Sequence, residues 1–334
     1  VNQPQKILVF RKSSLGDVIL TLPVIQTLMN HFPQAGIDYF TKTRYAPLVK
    51  YHPGVDNVIT FDDNRSFRKL LKKIGSGGYE LFVDLQSNFQ SWFIALRLRG
   101  ARRIRYGRRR LAREMIVRRP QIKFRVDHTI NAYLRALRRL GLSEAPSPPV
   151  LAIPEDAIEF AGDFLDRSMP QKPAILIAVC PGARYPEKRW PAESFRDVCE
   201  KLLEDDSVGL LVVSSDDDGI PGDLGLNHPR MMVVRDFDLL KLAALLRRCK
   251  VALTNDSGIM HLSCAAGTPV VAIFGPTNPR LGFAPALPGS KVICDDVFCS
   301  PCSLHGQRPC RQKKKYCFED ITVERVIAEL DKMI

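Results

Sequence analysis

The sequence predicts an α/β protein built from two open parallel sheets in tandem. Three observations predict it. Short apolar runs with strand character alternate with helical stretches along nearly all of the 334 residues, the signature of strands joined by helical crossovers. The length suits about two domains. Between the two alternating halves, Ser143 to Pro154 carries prolines at 146, 148, 149 and 154, which marks a linker. The expected division is a first domain over 1–153, a second over 154–321 and a closing amphipathic helix over 322–334.

In the first half, strands are predicted at 6–11, 37–40, 58–61, 81–85 and 104–106, and helices at 18–31, 44–51, 65–74, 89–98 and 129–140. Pro23 inside the first helix predicts a kink or a late start near Leu22, because proline lacks the N–H that a helix interior needs. In the second half, strands are predicted at 174–180, 209–214, 231–234, 251–254 and 270–274, with helices at 155–168, 192–204, 239–249, 257–266 and 322–333.

Hydrophobic content of 45% allows a sizeable core. No run of about 18 apolar residues is present, so no transmembrane helix is expected. The first residues lack the long apolar core of a signal peptide, and a cytoplasmic location is expected. The net charge of +13 is concentrated. Arg97 to Arg125 holds thirteen basic residues and one acid, Glu114. Such a field calls for an anionic partner: nucleic acid, phospholipid headgroups or an acidic glycolipid. No nucleic-acid-binding motif accompanies it, so no nucleic acid is expected. All nine cysteines lie in the second half. Cys180, Cys199, Cys249 and Cys264 read as small core residues. The others crowd a polar loop, where Cys299-x-x-Cys302 with Cys310 and Cys317 offers four zinc ligands. Their later spacing is irregular for a zinc site. The expectation is reduced thiols, no metal and no cofactor.

The stretch Val251 to Thr277 reads strand, tight turn, helix, strand. Asp256 or Ser257 caps the helix, and Gly258 lets a ligand approach the backbone. N–H groups at such a start favour phosphate, and in a doubly wound sheet this turn lies at the ligand crevice. The plainer alternative is an ordinary βαβ unit, with Asp256 only a cap and His261 a packed histidine. A second loop, Pro181 to Pro191, also joins a strand to a helix. Its Pro and Gly residues, Gly182 among them, make it rigid, Lys188 suits a diphosphate, Arg184 reads as surface charge, and Arg189 either joins Lys188 or pairs with Glu187. Lys188 and the helix start at Ser257 together make a cation and an amide nest for one diphosphate. Neither loop has Walker spacing, so phosphoryl transfer from ATP is not expected. In the first half, Ser13 to Asp17 lacks the G-x-G-x-x-G spacing of a dinucleotide loop. Asp17 there is either a cap or a general base for a hydroxyl.

Four motifs in order resemble glycosyltransferase family 9, the ADP-heptose:lipopolysaccharide heptosyltransferases. They are SSLGDVILTLP (13–23), CPGARYPEKRWP (180–191), NDSGIMHL (255–262) and GTPVVAIFGPT (267–277). The similarity covers nearly the whole chain, and the cysteine loop (299–321) is similar to the heptosyltransferase II branch. The resemblance implies a GT-B fold: two Rossmann-like domains facing a central cleft, donor in the second and acceptor in the first. It implies that the helix over 322–334 crosses back to the first domain.

It also implies metal-independent, inverting transfer of heptose from ADP-heptose to a sugar hydroxyl of an anionic lipopolysaccharide precursor, at the inner-membrane surface. Asp17 matches the catalytic base, and Lys188 with Ser257 and Gly258 would stabilise the ADP leaving group. Gly182, Asp256 and His261 match donor contacts, His261 with a purely structural alternative. Asp216 is a candidate for the nucleotide ribose. Ser14, Gly16, Arg102, Arg105 and Arg108 are candidates for the acceptor, since arginine forks suit Kdo carboxylates and lipid A phosphates. Phe89, Trp92, Phe93, Ile94 and Leu96 are read as a core-facing helix stripe, with membrane contact as the alternative.

Overall fold

The computed structural model of the chain describes residues 3–62, 67–169, 171–214, 222 and 224–334. The chain divides into two compact units, Val1–Arg108 with His128–Ala152, and Arg109–Asp127 with Ile153–Ile334.

In the first unit, strands β1 (Lys6–Phe10), β2 (Gly36–Thr41), β3 (Asn57–Thr60), β4 (Leu81–Asp84) and β5 (Arg102–Arg105) form one sheet in the order β3-β2-β1-β4-β5. All of its pairings are parallel. Ile7 to Phe10 of central β1 are completely buried, as expected for a strand covered on both faces. Helices α1 (Leu15–Ile19), α2 (Leu22–His31), α3 (Pro47–Lys50), α4 (Phe67–Gly75) and α5 (Phe89–Arg97) follow the strands. Pro23 stops one continuous helix from forming and sits in the first turn of α2, where its missing N–H costs nothing.

Two further helices lie before the linker, α6 (Arg110–Arg118) and α7 (Thr129–Leu137). The arginine-rich α6 belongs to the second unit, unlike the expected division at 153. Ile116 and Val126 form a small core with Leu281. Arg280 donates to the carbonyls of Ile122 (2.8 Å) and Pro120 (3.0 Å), and Arg113 donates to that of Leu281 (2.9 Å). The chain passes from the first unit to the second after Ala152, within the proline-rich stretch.

The second sheet has the strands β6 (Ile175–Cys180), β7 (Val208–Ser214), β8 (Met231–Arg235), β9 (Val251–Asn255), β10 (Val270–Phe274) and β11 (Lys291–Cys294). Their order is β11-β10-β9-β6-β7-β8, again parallel throughout. Both sheets thus start in the middle, wind one way and then the other, which is the doubly wound Rossmann arrangement. The remaining helices are α8 (Glu155–Ser168), α9 (Ala192–Leu203), α10 (Leu239–Arg247), α11 (Gly258–Ala266), α12 (Tyr316–Glu319) and α13 (Val323–Asp331). Val326 and Leu330 of α13 are fully buried in the second unit's core, with Trp190, Phe195 and Phe318.

Candidate active site

Winding direction reverses between β1 and β4 in the first unit and between β6 and β9 in the second. Loops leaving the carboxyl ends of those strands part there and leave room for a ligand. The candidate residues of each unit collect on such loops.

In the second unit, the loops after β6 and β9 are stapled together by Asn255, the last residue of β9. Its Nδ2 donates to the Pro181 carbonyl (2.7 Å), and its Oδ1 accepts from the Trp190 backbone N–H (3.0 Å). The Trp190 ring is 1% exposed, and its Nε1 donates to the Ile321 carbonyl at 3.1 Å. Held at both ends, the loop brings Lys188 inward: Nζ lies 2.7 Å from Asp256 Oδ2. Thr277, at the end of β10's following turn, donates to the same oxygen at 2.6 Å. Asp256 is therefore an ion-pair partner and not the cap of α11. Ser257 takes the N-cap position, but its side chain makes no capping bond, and its Oγ is buried with no hydrogen-bond partner. His261 is buried on α11 one turn further along. Gly182 lies partly buried at the start of the β6 loop. Arg184 is exposed over the Tyr185 ring, as expected of a surface charge. Arg189 donates to the Ala183 carbonyl (2.8 Å), while Glu187 pairs with Lys315 at 3.2 Å instead. Asp216 lies outside the described residues.

The cysteine loop packs over this lysine turn. The N–H groups of Cys302 and Ser303 donate to the Pro276 carbonyl at 3.0 and 3.2 Å. Gly306 adopts φ +76°, and a Cβ there would stand 2.3 Å from Lys188 Cγ. Cys299, Cys302, Cys310 and Cys317 line one cavity of about 330 Å³ together with Arg118, Arg308, Arg311 and Lys315. Among the described residues no group of three His, Cys, Asp or Glu side chains is placed to hold a metal ion. Burial pushes the Cys317 thiol up to about 12, helped by its cysteine neighbours. Cys180, Cys199, Cys249 and Cys264 are core thiols, as their setting in apolar stretches predicted.

In the first unit, Asp17 sits in the first turn of α1. Its Oδ2 accepts from the Ser14 hydroxyl (2.8 Å) and backbone N–H (3.2 Å), and its Oδ1 lies 2.8 Å from Arg11 Nη2. Burial alone would raise the carboxyl's pKa. The Arg11 charge and the hydrogen bonds from Ser14 and Arg11 outweigh it and hold the group below its ordinary 3.8. Asp17 is thus both cap and ionised carboxylate. Arg11 is fixed by bonds to the carbonyls of Leu85 (2.6 Å) and Ser13 (2.9 Å) and by the Tyr133 ring face. Gly16 is buried within α1. Arg105 reaches the buried carboxylate of Asp84 at 3.1 Å, and Arg102 donates to the Arg139 carbonyl. Arg108 lies beyond β5, exposed. The sequence reading missed Arg11, Asn255 and Thr277. The signal for Arg11 was a cation placed where the apolar run KILVF ends.

The profile of glycosyltransferase family 9 (heptosyltransferase) matches residues 67–315, about three quarters of the chain. The chain belongs to glycosyltransferase family 9. A lipooligosaccharide heptosyltransferase 2 of Haemophilus ducreyi is 26% identical over 356 aligned positions, covering 98% of this chain and 99% of that one. A solved family 9 glycosyltransferase from Veillonella parvula superposes with a TM-score of 0.81 at 24% identity, over 98% of this chain and 97% of that chain. The ADP-heptose lipopolysaccharide heptosyltransferase II of E. coli gives 0.74 at 24% identity, over 98% of each. This family 9 chain therefore has the GT-B fold of two Rossmann-like domains, and it is a glycosyltransferase.

Proposed function

We propose that this family 9 enzyme transfers heptose from ADP-heptose to a sugar hydroxyl of the lipopolysaccharide inner core, a heptosyl-Kdo₂-lipid A type acceptor. The observation that carries the reading is the Lys188 ammonium, 2.7 Å from a carboxylate that directly precedes the N-cap of α11. A cation beside a helix start suits the diphosphate of a nucleotide-sugar. The unpartnered hydroxyl of Ser257 adds a donor.

The reaction is a single inverting displacement. The acceptor oxygen bonds to the anomeric carbon as that carbon's bond to the diphosphate oxygen breaks. Asp17, ionised at neutral pH, takes the hydroxyl proton. Lys188 and the N–H groups at Ser257 and Gly258 meet the charge growing on ADP. Asp256 and Gly182 position the donor sugar, with His261 near the diphosphate. Ser14, Gly16, Arg102, Arg105 and Arg108 serve the anionic acceptor. The enzyme works on the cytoplasmic side, peripheral to the inner membrane. Incubation with ADP-heptose and heptosyl-Kdo₂-lipid A tests this: stoichiometric ADP release with a heavier glycolipid is expected, and no ADP release rejects the reading.

A further inference from the structure

Helix α5 carries two apolar stripes, and only one of them is covered. Ile94, with Leu98 just beyond the helix, is buried in the first unit's core. Phe89, Trp92, Phe93 and Leu96 lie at i, i+3, i+4 and i+7, one helical face. The sequence reading placed that stripe in the core. It is on the surface instead, with Phe89 71%, Trp92 44%, Phe93 37% and Leu96 47% exposed. The core face was already filled by Ser91 and Ile94. The outer rings hold one another: Phe89 stacks on Trp92 at 5.9 Å, and Phe93 meets both edge-on at 4.7 and 5.3 Å.

The sequence that carries the helix is basic. Residues 85–108 contain six arginines and no Asp or Glu. Arg97, Arg99, Arg102 and Arg103, at and after the end of α5, are all exposed. Aromatic side chains beside a cluster of arginines match the headgroup layer of a bilayer, where rings settle at the acyl boundary and guanidiniums meet phosphates.

We propose that the outer face of α5 is a membrane-docking element that seats the first unit on an anionic lipid surface. A second copy of this chain fits the face poorly. Four side chains fall well short of the roughly 20–30 residues a stable interface uses on each side, and two patches of like charge repel. Anionic lipid answers both the rings and the arginines. The proposal deepens the reading of a glycolipid acceptor: docking brings the enzyme to the plane in which that acceptor lies.

The tryptophans make the test direct, because Trp190 is buried and Trp92 is not. The full chain is mixed with vesicles of phosphatidylethanolamine and phosphatidylglycerol, or of phosphatidylcholine alone, with brominated acyl chains as quenchers. Quenching and a blue shift are expected with the anionic vesicles only. Phe89→Ser with Leu96→Ser should abolish them. Arg97→Ser and Arg99→Ser should each weaken vesicle partitioning about fivefold. Transfer to a water-soluble, deacylated acceptor should stay unchanged in the Phe89→Ser/Leu96→Ser variant. The proposal is overturned by absent quenching, by quenching that survives this double substitution, or by a dimer in solution that the same substitution dissociates. No heptose transfer by the unmodified chain, with vesicle binding intact, would instead reject the proposed heptosyl transfer and leave the docking surface standing.

Discussion

Lys188 and Asp256 form an ion pair at 2.7 Å, and Thr277 shares the carboxylate oxygen that receives the lysine. The two charges come from loops after different strands, yet each is largely shielded from solvent. Neutralised by Asp256, the lysine is held in place at the start of α11, and in the proposed reaction a diphosphate replaces the carboxylate as its partner.

Lys188→Ala therefore removes both the proposed leaving-group cation and the partner of a shielded carboxylate. Turnover should fall about 10²- to 10³-fold, and stability by roughly 1–3 kcal/mol. Adding Asp256→Ala should recover part of that stability but none of the turnover. Steady-state kinetics and urea unfolding of the two single variants and the double variant measure this. Full additivity would mean that the pair is not coupled.

Asn255 is fully buried and satisfies both the Pro181 carbonyl and the Trp190 N–H. Asn255→Ala leaves two buried groups unpaired, at about 1–3 kcal/mol each. Loss of the staple should also raise the donor KM more than it lowers kcat, since Lys188 stays present but is less well placed. Unfolding midpoints and kinetics report the two effects separately.

Gly306→Ala tests the packing over Lys188 without touching charge. The left-handed φ is strained for alanine, and the new methyl would overlap the lysine stem. Donor affinity, read by calorimetric titration with ADP, should fall. Unchanged ADP binding would show that the loop yields easily.

The carboxyl of Asp17 titrates below 3.8, against the lift that burial gives, because of Arg11 and Ser14. Its pairing stabilises the fold above its unfolded value, and that contribution is lost as pH falls through the lower folded value. Arg11→Met removes the main lowering influence and leaves burial to act. The acid limb of the kcat/KM profile should then move to higher pH. Asp17→Asn should lower kcat about 10²- to 10⁴-fold with ADP binding retained. An acid limb that stays in place in Arg11→Met would separate the limb from Asp17.

Cys317 should resist alkylation at neutral pH, since burial lifts its thiol to about 12. Only the thiolate reacts, so iodoacetamide labelling followed by mass spectrometry should find it more than about a hundredfold slower than an ordinary exposed thiol. Rapid labelling would mean that the loop opens in solution.

Most strands were legible because parallel strands covered on both faces are short apolar runs, as in KILVF and VVAIF. The edge strand KVIC was missed, being four residues long with only Ile293 buried. α6 was not legible because arginines dominate the stretch and Ile116, its one buried residue, gives little periodic signal.

By itself the sequence determined the two open parallel sheets, the break at Pro23 and the strand-to-helix loops bearing Asp17, Lys188 and Asp256. These follow from local periodicity and from residues whose backbone preferences are local. Only the tertiary structure decided that Asp256 pairs with Lys188 across 68 positions of sequence rather than capping its own helix. The same holds for the Arg11 charge that lowers Asp17, the second-unit packing of α13, and the outward turn of Phe89 and Trp92. A helix with two apolar stripes does not say which one the core will cover. That depends on the volume left by neighbouring elements, which no short stretch of chain encodes.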